Sequence, residues 1–186
     1  QIVIKYASIF VDELKKEGVI STLKHFPGHG SSLNDSHLGL VDVTKTWNEK
    51  EVQPYQALLD EGVIDAIMTA HIINRKLDSS GSPATLSKKI VTDYLRKKMG
   101  FKGVIISDDM QMHAISSYYG LDESIRKCIN AGVDIIMFSN NIKGATKYTP
   151  SNVHAVIKRL VKEGKIPMQR INESYGRIMA MKVGGR

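Results

Sequence analysis

The sequence predicts an α/β fold in which four parallel strands alternate with helices. The first observation is a set of four short runs rich in β-branched and apolar residues, which are typical of buried strands in parallel sheets. The second is that each run follows a segment of helical periodicity that ends at a glycine. Right-handed crossovers make such strands parallel neighbours, so the residues that follow them face one rim. The runs cover residues 19–23, 66–69, 104–106 and 133–138.

The helices are predicted from apolar stripes and from end signals. Residues 4–17 carry an apolar stripe that stops before a glycine. Asn48 and Glu51 match a capping box, which opens a helix that runs to about residue 61. Ser87 is placed to cap the helix that follows it. Further helices are predicted over about 122–130, 151–163 and about 169–182, and residues 74–85 are predicted to form a loop.

The composition is that of a soluble globular protein. The 186 residues, 42% hydrophobic and 24% charged, suit one domain with a sizeable core. The net charge of +7 raises the question of nucleic acid, but lysines such as Lys88 and Lys97 are scattered without an aromatic stacking platform. We therefore expect a solvated basic surface and no nucleic-acid partner. The only cysteine, Cys128, is predicted to be a buried thiol.

No apolar run is long enough to span a membrane, so no membrane span is predicted. A cytoplasmic location is favoured, and a periplasmic or secreted one stays open, because the chain begins at Gln1. Neither an HExxH nor a paired-cysteine pattern occurs, so no metal site is predicted.

Polar side chains follow the first predicted strand. Lys24 and His25 lie at its carboxyl end, where α/β folds place their ligands, and Pro27 then ends the strand. Further on, Asp35 lies two residues before His37. A carboxylate at this spacing can accept an imidazole N–H and support the charged ring, which makes the histidine a good proton donor. The alternative is a solvated surface loop.

A carboxylate also follows the third strand directly. Asp108 is placed where a carboxylate could act as a nucleophile at the rim, but Asp108 or Asp109 could equally cap the next helix. His71 follows the second strand and is either a pocket wall or a core residue. Met112 can either line a pocket at this rim or pack in the core.

Three motifs give the chain a family resemblance. They read KHFPGHG from Lys24, DSH from Asp35 and SDDMQM from Ser107, and the likeness extends through MTAH and AGVD. Together they resemble the β-N-acetylglucosaminidases of glycoside hydrolase family 3. KHFPGHG indicates the family, and DSH points to the acetylglucosaminidase branch.

The resemblance implies a TIM barrel. The four βα units correspond to strands five to eight of the family's (β/α)₈ barrel, so residues 1–186 are expected to form its C-terminal half as one domain with closing C-terminal helices. The N-terminal half is absent from this chain. A half-barrel exposes sheet edges and an apolar face, so we expect it to pair with the missing half or to self-associate.

The resemblance also assigns roles to the candidate residues. It selects Asp108 as the nucleophile and leaves Asp109 a structural role. It makes His37 the acid/base, polarised by Asp35. The expected sugar contacts are Lys24 and His25, joined in the pocket by Met112 and His71.

The implied reaction removes terminal N-acetylglucosamine from muropeptides with retention, through a covalent glycosyl-enzyme and without a cofactor. The family's Asp and Arg that hold the sugar come from the first half of the barrel. After DSH the chain continues as LGLVD, where relatives commonly run toward a proline. The alternatives are a β-glucosidase of the same family and a non-catalytic half-barrel that binds sugar or serves in assembly.

Overall fold

The computed structural model describes residues 1–33 and 39–184. A π-helix covers Lys89–Lys98, and short 3-10 helices cover Glu49–Val52 and Ala84–Leu86. The α-helices are α1 (Ile2–Lys16), α2 (Gln53–Asp60), α3 (His113–Ser116), α4 (Leu121–Ala131), α5 (Pro150–Lys162) and α6 (Met168–Gly184). The strands are β1 (Thr22–Phe26), β2 (Val41–Asp42), β3 (Ala66–Thr69), β4 (Ile72–Ile73), β5 (Val104–Asp109) and β6 (Ile135–Met137).

The main sheet has the order β1-β3-β5-β6, and each neighbouring pair is parallel. Thr22 pairs with Ala66, and Ala66 pairs in turn with Val104. Helical segments connect the successive strands of this sheet. The predicted parallel α/β fold is therefore confirmed.

The first strand begins later than the sequence predicts. Gly18 has φ +69°, and the Val19 N–H bonds back to the carbonyl of Leu14, which closes the end of α1. Val19 and Ile20 are consequently exposed, and pairing with β3 starts only at Thr22. The strand instead extends through Phe26, so it includes the residues expected just beyond it.

Both predicted helix caps are confirmed. The Asn48 side chain accepts the backbone N–H of Lys50 at 2.9 Å, and Glu51 closes the reciprocal half of the box. The Ser87 hydroxyl accepts the N–H of Ile90 at 3.1 Å. These caps set where the helices that cover the sheet begin.

One apolar core holds the sheet to its helices. It joins the three neighbouring strands β1, β3 and β5 to the π-helix and α4, and it includes Cys128 as the predicted buried thiol. A second cluster packs α4 against α5 and the turn after it. The fully buried members of the first cluster include Phe26, Ile67, Ile90, Leu95, Ile105 and Ile115.

Helix α1 carries apolar side chains that remain on the surface. Ser8 ties it to Glu61 next to α2, with 2.7 Å between the Ser8 hydroxyl and the carboxylate. We call the exposed apolar side chains of this helix the α1 apolar face. They are Ile2, Val3, Tyr6, Ile9 and Phe10, with 49–74% of each residue exposed.

We expect the chain to associate through the α1 apolar face, because burying such a patch is favourable. Light scattering should give a mean mass above the 20.7 kDa of one chain. The double variant Tyr6→Glu, Phe10→Glu should lower that mass, whereas Lys16→Glu, a charge change elsewhere on α1, should not. A well-folded monomer of the unaltered chain would contradict this prediction.

Candidate active site

The end of β1 presents two of the predicted binding residues. Phe26 is fully buried and packs edge-on against Tyr55 with ring centroids 5.3 Å apart, which anchors the strand end. Before it, Lys24 is exposed, and 29% of the His25 side chain is accessible. The Lys24–His25 and Phe26–Pro27 peptide bonds are cis.

The loop after β1 is held against the helix that begins after Asn48. The Trp47 indole N–H donates to the carbonyl of Pro27 at 2.9 Å. Gly28 has φ +112°, and a Cβ on it would lie 2.5 Å from Cβ of Glu51. Only glycine therefore permits this close approach of loop and helix.

Glu51 is a site-supporting residue that sequence reasoning found only as a helix cap. Its carboxylate accepts the Gly30 N–H at 3.1 Å and the Ser31 hydroxyl at 2.6 Å. Beside it, His29 Nδ1 hydrogen-bonds the Ser32 hydroxyl. The described part of the loop is thus tied down as far as Ser32, and the predicted residues Asp35 and His37 lie outside the described residues.

The carboxyl end of β5 carries Asp108, whose side chain is 16% exposed. Its Oδ1 accepts the backbone N–H of Asp109 at 2.8 Å. Its Oδ2 lies 3.7 Å from Nε2 of His25. The fold therefore brings Asp108 to His25 across the intervening strand β3, at the rim that the sequence predicts.

Asp109 holds the neighbouring chain segments together. Its carboxylate accepts the N–H of Gln111 at 3.1 Å and the N–H of Ser139 at 3.2 Å, and it also takes the Ser139 hydroxyl. Only 7% of the residue is exposed. These contacts agree with the structural role expected for Asp109.

His71 and Met112 lie below the surface of the rim. His71 is 1% exposed, with Nε2 3.0 Å from the carbonyl oxygen of Asp109 and Nδ1 2.9 Å from the Thr85 hydroxyl. Burial lowers the pKa of His71, although the charges of Asp108 and Asp109 oppose this shift. Met112 is 4% exposed, and its N–H donates to the same carbonyl at 3.0 Å. Neither side chain is thus placed as a wall of an open pocket.

An open cleft of about 610 Å³ lies beside β1. Its polar lining includes Lys24, His25, His29 and Glu51, and its apolar lining comes from α1 and α2. Among the described residues, Asp108 is not part of this lining. The cleft therefore adjoins the carboxylate site and runs along the outer edge of β1.

Two further features concern the described residues as a whole. Within residues 1–33 and 39–184, no three His, Cys, Asp or Glu side chains are grouped to hold a metal ion. No helix in the same ranges is long and apolar enough to cross a bilayer.

Comparison with known proteins gives consistent matches. A sequence model described as "Glycosyl hydrolase family 3 N terminal domain" matches residues 1–181. A beta-hexosaminidase of Tolumonas auensis is 40% identical over 146 residues, which cover 77% of this chain and 43% of that protein.

Two solved structures are similar over nearly the whole chain. The glycoside hydrolase family 3 beta-N-acetylglucosaminidase of Paenibacillus sp. str. FPU-7 superposes with a TM-score of 0.84 at 32% identity, covering 96% of this chain and 33% of that one. Beta-glucoside phosphorylase BglX gives a TM-score of 0.84 at 27% identity, covering 98% and 34%. The chain thus spans less than half the length of these relatives. Their likeness confirms the TIM-barrel type of parallel α/β fold, and this chain belongs to glycosyl hydrolase family 3.

Proposed function

We propose that this chain carries the nucleophile of a retaining exo-β-N-acetylglucosaminidase. The observation that carries the proposal is the carboxylate of Asp108 at the end of β5, with Oδ1 held by a backbone N–H and Oδ2 facing His25. A carboxylate held in this way can attack an anomeric carbon while its second oxygen stays oriented. The beta-hexosaminidase relative supports this reaction class.

In the first step, an Asp108 oxygen bonds to the anomeric carbon as the bond to the leaving oxygen breaks. His37, supported by Asp35, protonates that oxygen. In the second step, His37 takes a proton from water, the water oxygen bonds to the anomeric carbon, and the bond to Asp108 breaks. Two displacements on one carbon return the original configuration.

Lys24 and His25 are proposed to donate hydrogen bonds to the sugar while it reacts at Asp108. Both belong to the last part of β1, and His25 lies beside Asp108. A cation and an imidazole at this position can hold ring hydroxyl groups over the nucleophile. The buried Met112 supports the site through packing below it.

The proposed substrate is a saccharide with terminal N-acetylglucosamine, of the kind found in peptidoglycan-derived muropeptides. The proposed assembly is a (β/α)₈ barrel in which residues 1–186 supply one half and a second half-barrel supplies the other. The α1 apolar face and the outer edge of β1 support this assembly, because both are surfaces that a neighbouring βα unit could cover.

The proposal is tested by comparing hydrolysis of nitrophenyl β-N-acetylglucosaminide and β-glucoside. The chain is assayed alone and with a half-barrel of four βα units from a family member. We expect kcat/KM for the N-acetylglucosaminide to be higher by roughly 100-fold or more, because a site that bonds the acetamido group rejects a sugar without it. NMR should show the β-anomer as the first product.

Three results would contradict the proposal. Preference for the glucoside would indicate a β-glucosidase, and an α-anomer as first product would exclude retention. Products that form only when phosphate is added would indicate a phosphorylase, the activity named for one of the similar structures.

A further inference from the structure

His71 lies outside the open cleft and yet next to the proposed nucleophile. It follows β3 and is in hydrogen-bond contact with the strand that carries Asp108. The bond reaches from Nε2 to the carbonyl oxygen of Asp109, one residue beyond the nucleophile. A fully buried imidazole with both nitrogens engaged is placed to fix geometry.

The hydrogen bonds define which nitrogen carries the proton. A carbonyl oxygen can only accept, so Nε2 of His71 must be the donor to Asp109. Burial lowers the pKa of His71 and so favours the neutral ring. Nδ1 therefore has a lone pair and accepts the hydroxyl proton of Thr85 at 2.9 Å.

The surrounding groups are consistent with this proton arrangement. The carbonyl of Ala70 takes the Thr85 N–H at 3.3 Å and also lies 3.0 Å from the Thr85 hydroxyl, so the single hydroxyl proton of Thr85 is shared between this carbonyl and Nδ1 of His71. The Thr69 hydroxyl, 2.8 Å away, can donate to the Thr85 oxygen. Both threonines are fully buried. A buried hydrogen-bonded cluster of Thr69, Thr85 and His71 thus reaches the carbonyl of Asp109.

The Asp109 backbone at the end of this cluster also contacts the nucleophile. Its N–H donates to Oδ1 of Asp108, and its carboxylate is held by Ser139 and Gln111. The carbonyl of Asp109 has two lone pairs, of which one takes the Met112 N–H and the other takes His71. His71 thus supplies the restraint on this residue from the β3 side.

We propose that His71, which donates Nε2–H to the carbonyl of Asp109 and has the Thr85 hydroxyl beside Nδ1, is a positioning residue that orients Asp108 through the Asp109 backbone and leaves Oδ2 as the attacking oxygen. This rests on the proposed function. His71 touches neither the sugar nor the reacting atoms. Its effect belongs to the attack step, because a nucleophile that is misplaced by a small distance reacts much more slowly.

The attack step is measured as the burst of aryl release from a dinitrophenyl β-N-acetylglucosaminide, in the assembled enzyme of the preceding subsection. This leaving group departs without a proton, so the burst isolates the nucleophile. We expect His71→Leu to slow the burst by about 100-fold with KM nearly unchanged. His71→Gln, whose amide N–H can replace Nε2–H, should restore most of the rate.

Thr85→Val removes the hydroxyl that contacts Nδ1 of His71 and should slow the burst by about tenfold, the effect of one hydrogen bond. Thr92→Val is the matched control, since its hydroxyl donates to the carbonyl of Ala131 and is not in the cluster that reaches Asp109. It should lower the melting temperature about as much as Thr85→Val and leave the burst unchanged. Equal burst rates in Thr85→Val and Thr92→Val would overturn the role of Thr85.

Nitrogen NMR of histidine-labelled protein gives a readout that does not need turnover. The ring signal that disappears in His71→Gln belongs to His71, and at the pH of the assay it should show a neutral ring protonated at Nε2. A doubly protonated or Nδ1–H ring would overturn the inference. Wild-type enzyme without turnover refutes the proposed function, whereas an active wild type with an undiminished burst in His71→Leu refutes only the positioning role.

Discussion

Replacing Asp108 with alanine is expected to lower turnover of nitrophenyl β-N-acetylglucosaminide by on the order of 10⁴-fold, because the proposed covalent step would lose its nucleophile. The side chain is mostly buried beside His25, and its removal leaves a space at the rim rather than a break in the core. Binding should suffer much less than turnover, so kcat is expected to fall far more than KM rises. Steady-state kinetics of the assembled enzyme measure both.

Asp93→Ala is the matched control for this variant. Asp93 lies on the π-helix, is exposed and pairs with Lys97 one helical turn away. An exposed pair of this kind contributes little to stability, so the variant should retain full turnover. Comparable losses in the two variants would contradict the assignment of Asp108.

Azide gives the Asp108→Ala variant a second, qualitative test. A small anion can enter the space of the missing carboxylate and attack the anomeric carbon from the same face, while the nitrophenolate leaves. The carbon–nitrogen bond forms as the carbon–oxygen bond breaks, and the product is the α-glycosyl azide. Release of free sugar with no α-azide at high azide concentration would show that Asp108 does not stand below the anomeric carbon.

Much of the fold follows from local signals in the sequence. The caps at Asn48 and Ser87 depend on residues only two or three positions away, so they can be read along the chain. The start of β1 could not be predicted from residue types, because Val19 is a β-branched residue of the kind that favours strands. Val19 lies outside β1 only because its N–H bonds to the carbonyl of Leu14 at the end of α1. Strands β2 and β4 have two residues each, too few to show a period.

The site shows the same division between local and distant partners. Lys24, His25 and Asp108 are predictable because each stands at the end of a buried run, and parallel strands bring such ends to one rim. The bonds of His71 to Thr85 and Asp109 span 14 and 38 residues, and nothing in their spacing signals them. Thr85 in particular belongs to a segment that the sequence marks only as a loop. The buried residues that hold the site residues in place could therefore be identified only from the structure.

The opposite end of the sheet carries the largest expected effect on stability. Asp134 directly precedes β6, and its side chain is fully buried. The carboxylate joins the π-helix and α6 to the start of two strands, since it also accepts the N–H of Ile105 at 3.0 Å. Its other donors are Arg96, Arg170 at 2.6 Å, Arg177 at 3.0 Å and the Ser174 hydroxyl at 2.8 Å.

We expect Asp134→Ala to lower the free energy of unfolding by about 3–5 kcal/mol, the usual cost of removing one partner from a buried ion pair. The side chains of Arg96 and Arg170 are each only 11% exposed, so their charges would be left close together without their shared counter-charge. Burial already lowers the pKa of Arg96 to about 10. The melting temperature should fall by on the order of 10 °C.

Asp122→Ala provides the comparison that separates burial from ion pairing. Asp122 Oδ2 lies 2.6 Å from Nη2 of Arg159, the same distance as between Asp134 and Arg170, but the Asp122 side chain is 51% exposed. Water screens the exposed pair, so its loss should cost about 0–1 kcal/mol. If both variants melted within a degree or so of each other, the arginine cluster around Asp134 would not be what holds β6 and α6 together. A large loss in Asp134→Ala alone would show that the end of the sheet opposite Asp108 is stabilised by desolvated charge.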